Sequence, residues 1–261
     1  MAFVEENGVR YFSFDSFAEE SLVQGVFSRH GGVSPQPWSS LNLGGTVGDD
    51  RERVVENRRR MFEAVDLPVD SLYDAWQVHG ERVMVIDKPR PLEEEHEKAD
   101  ALITAKDDVT LLMRFADCVP IFFYDPVRRV VGITHAGWMG TVKKIGLKTV
   151  NEMIRVFGCD PGDVIAGIGP SIGPDEYEVG ENVIEAVRMA FPDDAEKMLF
   201  KKQNGSLHLD LWEANRLALV EAGVGRIEIA GISTAAHTGD WYSHRAEKGK
   251  TGRMGALIAL R

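Results

Sequence analysis

The chain has 261 residues, with 30 Lys and Arg against 41 Asp and Glu, giving a formal charge of −11. A protein that grips a polyanion through its phosphates presents a dense basic face, so this charge argues against nucleic-acid binding and against docking on an anionic membrane. At 44% hydrophobic and 27% charged, the composition is that of a globular chain with a substantial core, not of a disordered one.

No apolar run approaches the roughly 18 residues needed to cross a bilayer, and the opening MAFVEENGVRYF lacks a basic segment followed by an apolar one. Cys118 and Cys159 are too few for a disulfide framework. A cytoplasmic location is expected, and a conspicuous Cys becomes a candidate for chemistry.

Asn7-Gly8, between Phe3-Val4 and Val9–Tyr11, supplies the positive φ of a type I′ turn and predicts a hairpin. Leu22 to Ser28 reads as a strand that runs into HGGVSPQPWSSLNLGG, whose Gly and Pro exclude regular structure over about fifteen residues. Asp49 and Asp50 then cap a helix with Val54, Val55, Met61, Phe62 and Val65 at helical spacing, ending before Leu67-Pro68; it reads as purely structural. Arg82–Ile86, Val109–Phe115, Pro120–Tyr124 and Val130–Thr134 are short apolar strands expected to pair in one sheet. A second helix follows Gly140 through Val142, Ile145, Val150, Met153, Ile154 and Phe157 and stops at Gly158. Val164–Ile168 is the next strand, Gly180–Phe191 and Leu211–Ala222 are further helices, and Arg226–Ile232 and Ala256–Leu260 are closing strands. One mixed α/β or α+β domain over residues 1–261 accounts for this order.

Three polar residues stand between apolar segments, each followed closely by Gly or Pro: His79 in WQVHG, Cys118 in FADCVP and His135 in ITHAGW. One thiolate and two imidazoles suit Zn²⁺ and leave a fourth tetrahedral position open, as in catalytic sites. Their spacing matches no short zinc-finger pattern, so two other readings stand beside this one. Cys118 is equally a candidate nucleophile activated by His135, and all three are also ordinary buried side chains with local partners. Cys159 in FGCDPGD has no comparable setting. Arg29, ahead of His30-Gly31-Gly32, and Arg245 in the terminal YSHR are candidates for an anion, since a guanidinium fork and glycine backbone both suit phosphate or carboxylate. GIGPSIGP, from Gly167 to Pro174, matches no nucleotide loop and reads as a rigid turn, and His96 in LEEEHEKAD reads as solvent-exposed.

Taken in order, SRHGGVS, SLNLGGTVGDD, WQVHG, ADALIT, ADCVP, HAGW, GPSIGPDEYEVG, LDLWEANRLAL, YSHR and TGRMGALIAL resemble the YfiH or laccase-domain family over nearly the whole chain. The resemblance implies an α/β (mixed α+β) domain with mixed central sheets flanked by helices, similar to the catalytic domain of cytotoxic necrotising factor. It implies zinc on His79, Cys118 and His135, phosphorolysis of adenosine, inosine and methylthioadenosine, and deamination of adenosine. Where many relatives carry Arg after HAGW, a Cys-Thr pair and a second Arg after YSHR, this chain has Met139, Ser233-Thr234 and Ala246. In the implied phosphorylase, Arg29 and Arg245 would hold phosphate, and His244 would protonate the departing purine. Asp117, next to Cys118, is a weaker proton carrier because neighbours on a strand point to opposite faces. The copper polyphenol oxidase label of the same family would require about ten His for its copper centres, against 7 in this chain, although copper would fit the zinc site in vitro.

Overall fold

A computed structural model of the protein describes residues 2–18, 21–91 and 93–261. Met1, which opens MAFVEENGVRYF, and Leu92, which opens the charged run around His96, lie outside the described residues, as do Glu19 and Glu20.

The predicted hairpin is formed by β1 (Ala2–Glu6) and β2 (Val9–Ser13), with Asn7 and Gly8 at φ of 54° and 78°. β3 (Leu22–Phe27) leads into the irregular Gly/Pro segment, and Asp50 accepts from the Glu52 amide at 2.8 Å to start α1 (Arg51–Glu63). Then follow β4 (Leu72–Asp74), β5 (Val83–Val85), β6 (Ala101–Thr104), β7 (Thr110–Phe115), β8 (Val119–Asp125) and β9 (Val130–Ala136). The predicted second helix is two: α2 (Trp138–Val142) and α3 (Ile145–Phe157), separated where Lys144 turns to a φ of 53°. The remainder is β10 (Ile165–Ile168), α4 (Glu181–Ala190), α5 (Ala195–Met198), β11 (Leu199–Lys201), β12 (Leu207–Leu209), α6 (Leu211–Glu221), β13 (Arg226–Ile229) and β14 (Met254–Leu260). Among the described residues no helix is long and apolar enough to cross a membrane.

Two six-stranded mixed sheets form the centre, in the orders β1-β2-β3-β14-β7-β4 and β13-β10-β8-β9-β6-β5. The four strands expected in one sheet are therefore divided: β7 belongs to the first, and β5, β8 and β9 to the second. Every residue of β8, β9 and β14 is buried, so these strands have no polar face from which their sheet could be read.

The period-2 alternation sorts the side chains into layers. Leu111, Met113 and Phe115 of β7 and Ala256 and Ile258 of β14 meet Phe122 and Tyr124 of β8 and Val131 and Ile133 of β9 between the sheets. Leu112 and Leu257 face the other way, onto Met61 and Phe62 of α1. Val119, Ile121 and Phe123 face outward under Met153 of α3, Val187 of α4 and Leu219 of α6. The result is a helix, sheet, sheet, helix stack.

Candidate metal centre and cleft

β8 and β9 pair antiparallel with Pro120 opposite His135 and Val119 opposite Ala136. Cys118, just before β8, therefore faces the end of β9, where His135 sits with 4% exposure. β6 pairs with the other edge of β9, Ala101 opposite Thr134, which brings Asp100 beside His135. His79 arrives on the segment after β4. That segment is pinned at one end by Gln77, whose side-chain amide donates to the Arg114 carbonyl at 2.8 Å and accepts from the Arg114 amide at 2.9 Å.

The other end is pinned by Asp100, a fully buried carboxylate. It accepts from the amides of Val78, His79 and Gly80 at 3.1, 3.0 and 2.7 Å. Three converging amides stabilise the left-handed turn at His79, whose φ is 55°. The same carboxylate lies 2.8 Å from His135 Nδ1. A proton held on Nδ1 leaves the Nε2 lone pair free as a ligand.

The ligand atoms of His79, Cys118 and His135 all lie within 4.8 Å of one another. Cys118 Sγ is 3.8 Å from His79 Nε2, near the edge of about 3.6 Å that tetrahedral zinc would impose with ordinary Zn–S and Zn–N bonds. The imidazoles meet edge to face at 4.8 Å. The donor set and its convergence fit a borderline-soft metal ion with an open coordination position. Burial opposes ionisation of the Cys118 thiol, but the His135 charge and hydrogen bonds from both imidazoles outweigh it and hold the thiol below its ordinary range. Burial likewise opposes a charged His135, and the Cys118 and Asp100 charges overcome it and raise the imidazolium.

Gly137 closes the back of the centre. A Cβ there would lie 2.9 Å from Cys118 Sγ and 3.1 Å from His79 Cδ2. Gly137→Ala is expected to displace both ligands and weaken metal binding about tenfold or more while the fold persists, as read by competition with a chelating dye.

The centre opens into a cleft of about 720 Å³, within the range of small-molecule sites. Trp76, 48% exposed, and the half-buried Trp138 and Tyr177 give it aromatic walls. Burial and the neighbouring Cys118 charge push the Tyr177 phenol up to about 12. His244 and Arg245 line the rim, as do Asp117 and Ile172. The Arg245 guanidinium stacks on Tyr177 at 5.1 Å and donates to the Glu178 carbonyl. Asp117 is a support for this rim: it accepts from Thr234 Oγ1 and the Arg245 amide, both at 2.7 Å.

Arg29 is placed elsewhere. Its guanidinium donates to the carbonyls of Ser39 and Thr238, pairs with Glu247 at 3.1 Å and stacks on Tyr242, so it rivets the segment that carries His244 and Arg245 and does not line the cleft. Met139, Ser233 and Ala246 are also off the cleft wall; Ser233 donates to Glu176. Cys159 is buried, and burial and Asp125 push its thiol up to about 12. His96 is exposed as expected and lines the cleft, where its ring reaches back to the buried Asp74 at 3.2 Å. Ile172 of GIGPSIGP is tied to the Asp117 carbonyl at 3.0 Å, a turn that backs the cleft.

Sequence reasoning did not single out Asp100, Asp74, Arg58, Arg114 or Arg253. Asp100 and Arg253 lie inside segments that carried the resemblance, ADALIT and TGRMGALIAL, whereas Arg58 comes from the helix read as purely structural.

The family model described as multi-copper polyphenol oxidoreductase laccase matches residues 23–261. The chain belongs to this laccase-domain family. Among relatives of the laccase-domain chain, purine nucleoside phosphorylase YlmD of Bacillus subtilis (strain 168) is 38% identical over 93% of this chain and 90% of its own length. Adenosine deaminase RL5, from an unknown prokaryotic organism, is 36% identical over 80% of this chain and 82% of its own length. The crystal structure of YlmD from Geobacillus stearothermophilus superposes with a TM-score of 0.92 at 36% identity, covering 99% of this chain and 98% of that one.

Proposed function

We propose that the protein is a zinc-dependent enzyme that cleaves adenosine, inosine and methylthioadenosine with phosphate to the free base and the ribose 1-phosphate, and that also deaminates adenosine, in the cytoplasm. The observation that carries this reading is the convergence of His79, Cys118 and His135 on one aromatic-walled cleft, with Asp100 fixing the His135 tautomer. Relatives named for these two activities support it.

His79, Cys118 and His135 would hold the metal. Bound there, zinc supplies a Lewis acid that lowers the pKa of water to about 7. Trp76, Trp138 and Tyr177 offer flat apolar faces to a purine and exclude water from it. In phosphorolysis a phosphate oxygen bonds to C1′ as the C1′–N9 bond breaks, and the electron pair leaves with the purine, which takes up a proton. His244 is exposed on the rim, and its ring makes no hydrogen bond among the described residues, so it is free to carry that proton to N7. In deamination water adds at C6 and ammonia leaves, and the same rim supplies the proton. Arg245, with its charge at the rim, attracts the anionic co-substrate.

A second reading uses Cys118, His135 and Asp100 as a metal-free thiol hydrolase, favoured by the thiol being held below its ordinary range. That reading leaves no role for His79 beside the same sulfur. Mass spectrometry of the products from inosine and adenosine, with and without phosphate, separates the two. Ribose 1-phosphate formed only with phosphate, inosine formed from adenosine without it, and loss of both on chelation are expected. Unchanged nucleosides would overturn the proposal.

A further inference from the structure

In a chain of charge −11, one wall of the cleft carries several guanidinium groups, not all of them paired with a carboxylate. Arg58 of α1 lines this wall half-buried, and among the described residues it makes no hydrogen bond and no ion pair. The carboxylate beside it, Asp74, is already committed: Arg90 pairs with it at 2.6 Å, Arg114 contacts its other oxygen, and His96 approaches at 3.2 Å. Two guanidinium groups and an imidazole therefore share this carboxylate, and Arg58 has no hydrogen bond or ion pair with it. The same wall carries Arg253, whose amide donates to Asn42 Oδ1, whose Nη1 donates to the carbonyls of Thr251 and Gly252, and whose other guanidinium nitrogens make no hydrogen bond to the described residues.

The cleft is also lined by Gly44, which lies against Arg253, and by Gly45 and Thr46, and Arg114 Nε donates to the preceding Leu43 carbonyl at 2.9 Å. The amides of Gly45 and Thr46 donate to no described residue, and nothing lies within 4 Å of where a Gly45 Cβ would point. Burial draws both Arg58 and Arg253 below the ordinary guanidinium range, and the Arg114 charge adds to this at Arg58. Unpaired, desolvated cations are unfavourable unless an anion completes them. The free donors, two guanidinium forks and two successive amides, outnumber what the two oxygens of a carboxylate accept and suit a tetrahedral oxyanion.

We propose that Arg58, Arg253 and the Gly45-Thr46 amides form the phosphate subsite of this cleft, with Arg114 as its brace, in place of Arg29. This deepens the reading above, in which phosphate is the co-substrate. The same chemistry would also take the 5′-phosphate of a nucleotide, and the test separates the two sources.

Isothermal titration calorimetry of the zinc-loaded protein with inorganic phosphate, AMP and adenosine is the experiment. Arg58→Gln and Arg253→Gln are each expected to weaken phosphate by about tenfold or more. Arg59→Gln, one residue along α1 and paired with Glu56 and Glu63, should leave it unchanged. In turnover, the Arg58→Gln loss should fall on KM for phosphate and not on KM for the nucleoside. If AMP binds wild type about tenfold tighter than adenosine, and Arg58→Gln removes that advantage, the subsite takes a 5′-phosphate. If AMP has no advantage and phosphate binds alongside adenosine, it takes free phosphate. No phosphate or AMP binding by wild type, equal binding by Arg58→Gln, or equal weakening by Arg59→Gln would overturn the proposal. Phosphate bound through Arg58 without nucleoside cleavage would uphold the subsite and sink the proposed reaction.

Discussion

Cys118→Ala is expected to remove zinc and turnover together. The thiolate is the one anionic ligand among three, so without it two neutral imidazoles face a dication in a half-buried site. Loss of the metal removes several kcal/mol of transition-state stabilisation, about a thousandfold or more in rate. Metal content by mass spectrometry and initial rates on inosine, measured on one preparation, check this. An active, metal-free variant would refute the metal reading outright. Protons compete for the same ligand atoms. Without metal, the lowered Cys118 thiol and the raised His135 imidazolium favour a proton on the imidazole over one on the sulfur. Zinc must displace the His135 proton, so affinity should fall as the solution is acidified.

The second large effect belongs to a residue that touches no substrate. Asp100→Asn retains size but presents an amide. If its N–H₂ faces His135 Nδ1, the imidazole must carry its proton on Nε2, where the ligand lone pair is needed. Zinc affinity should drop about 10- to 100-fold. Asp100→Ala goes further: it strips the shared acceptor from the amides of Val78, His79 and Gly80 and should cost about 3–5 kcal/mol of folding stability. Chelator competition reads the first effect and a denaturant titration the second. Wild-type zinc affinity in Asp100→Asn would show that the carboxylate orients nothing.

His79, Cys118 and His135 were legible as candidates because each stands between apolar segments and is followed within two residues by Gly or Pro, a pattern that packing alone does not require. The hairpin at Asn7-Gly8 and the cap at Asp50 were legible because each depends on local chemistry. The partition of β7 and β8 into different sheets was not, since both are covered on both faces and the pairing partner is set by β14, far along the chain. Asp100 was hidden for a related reason. Its role depends on β6 lying against β9, which is a long-range fact, while in sequence it is one acid before a short apolar run. Arg58 was not singled out because helical periodicity reports the apolar stripe and is silent about which polar residue looks into a cleft.

Cys118 and His135, two of the three proposed metal ligands, sit at the ends of β8 and β9, whose backbones are packed on both sides, whereas His244 and Arg245 come from a connecting segment on the rim. Reactivity and selectivity are thus stored in separate parts of the chain. Substrate preference can drift, or be engineered, by exchanging the rim segment around His244 without disturbing the strands that carry Cys118 and His135.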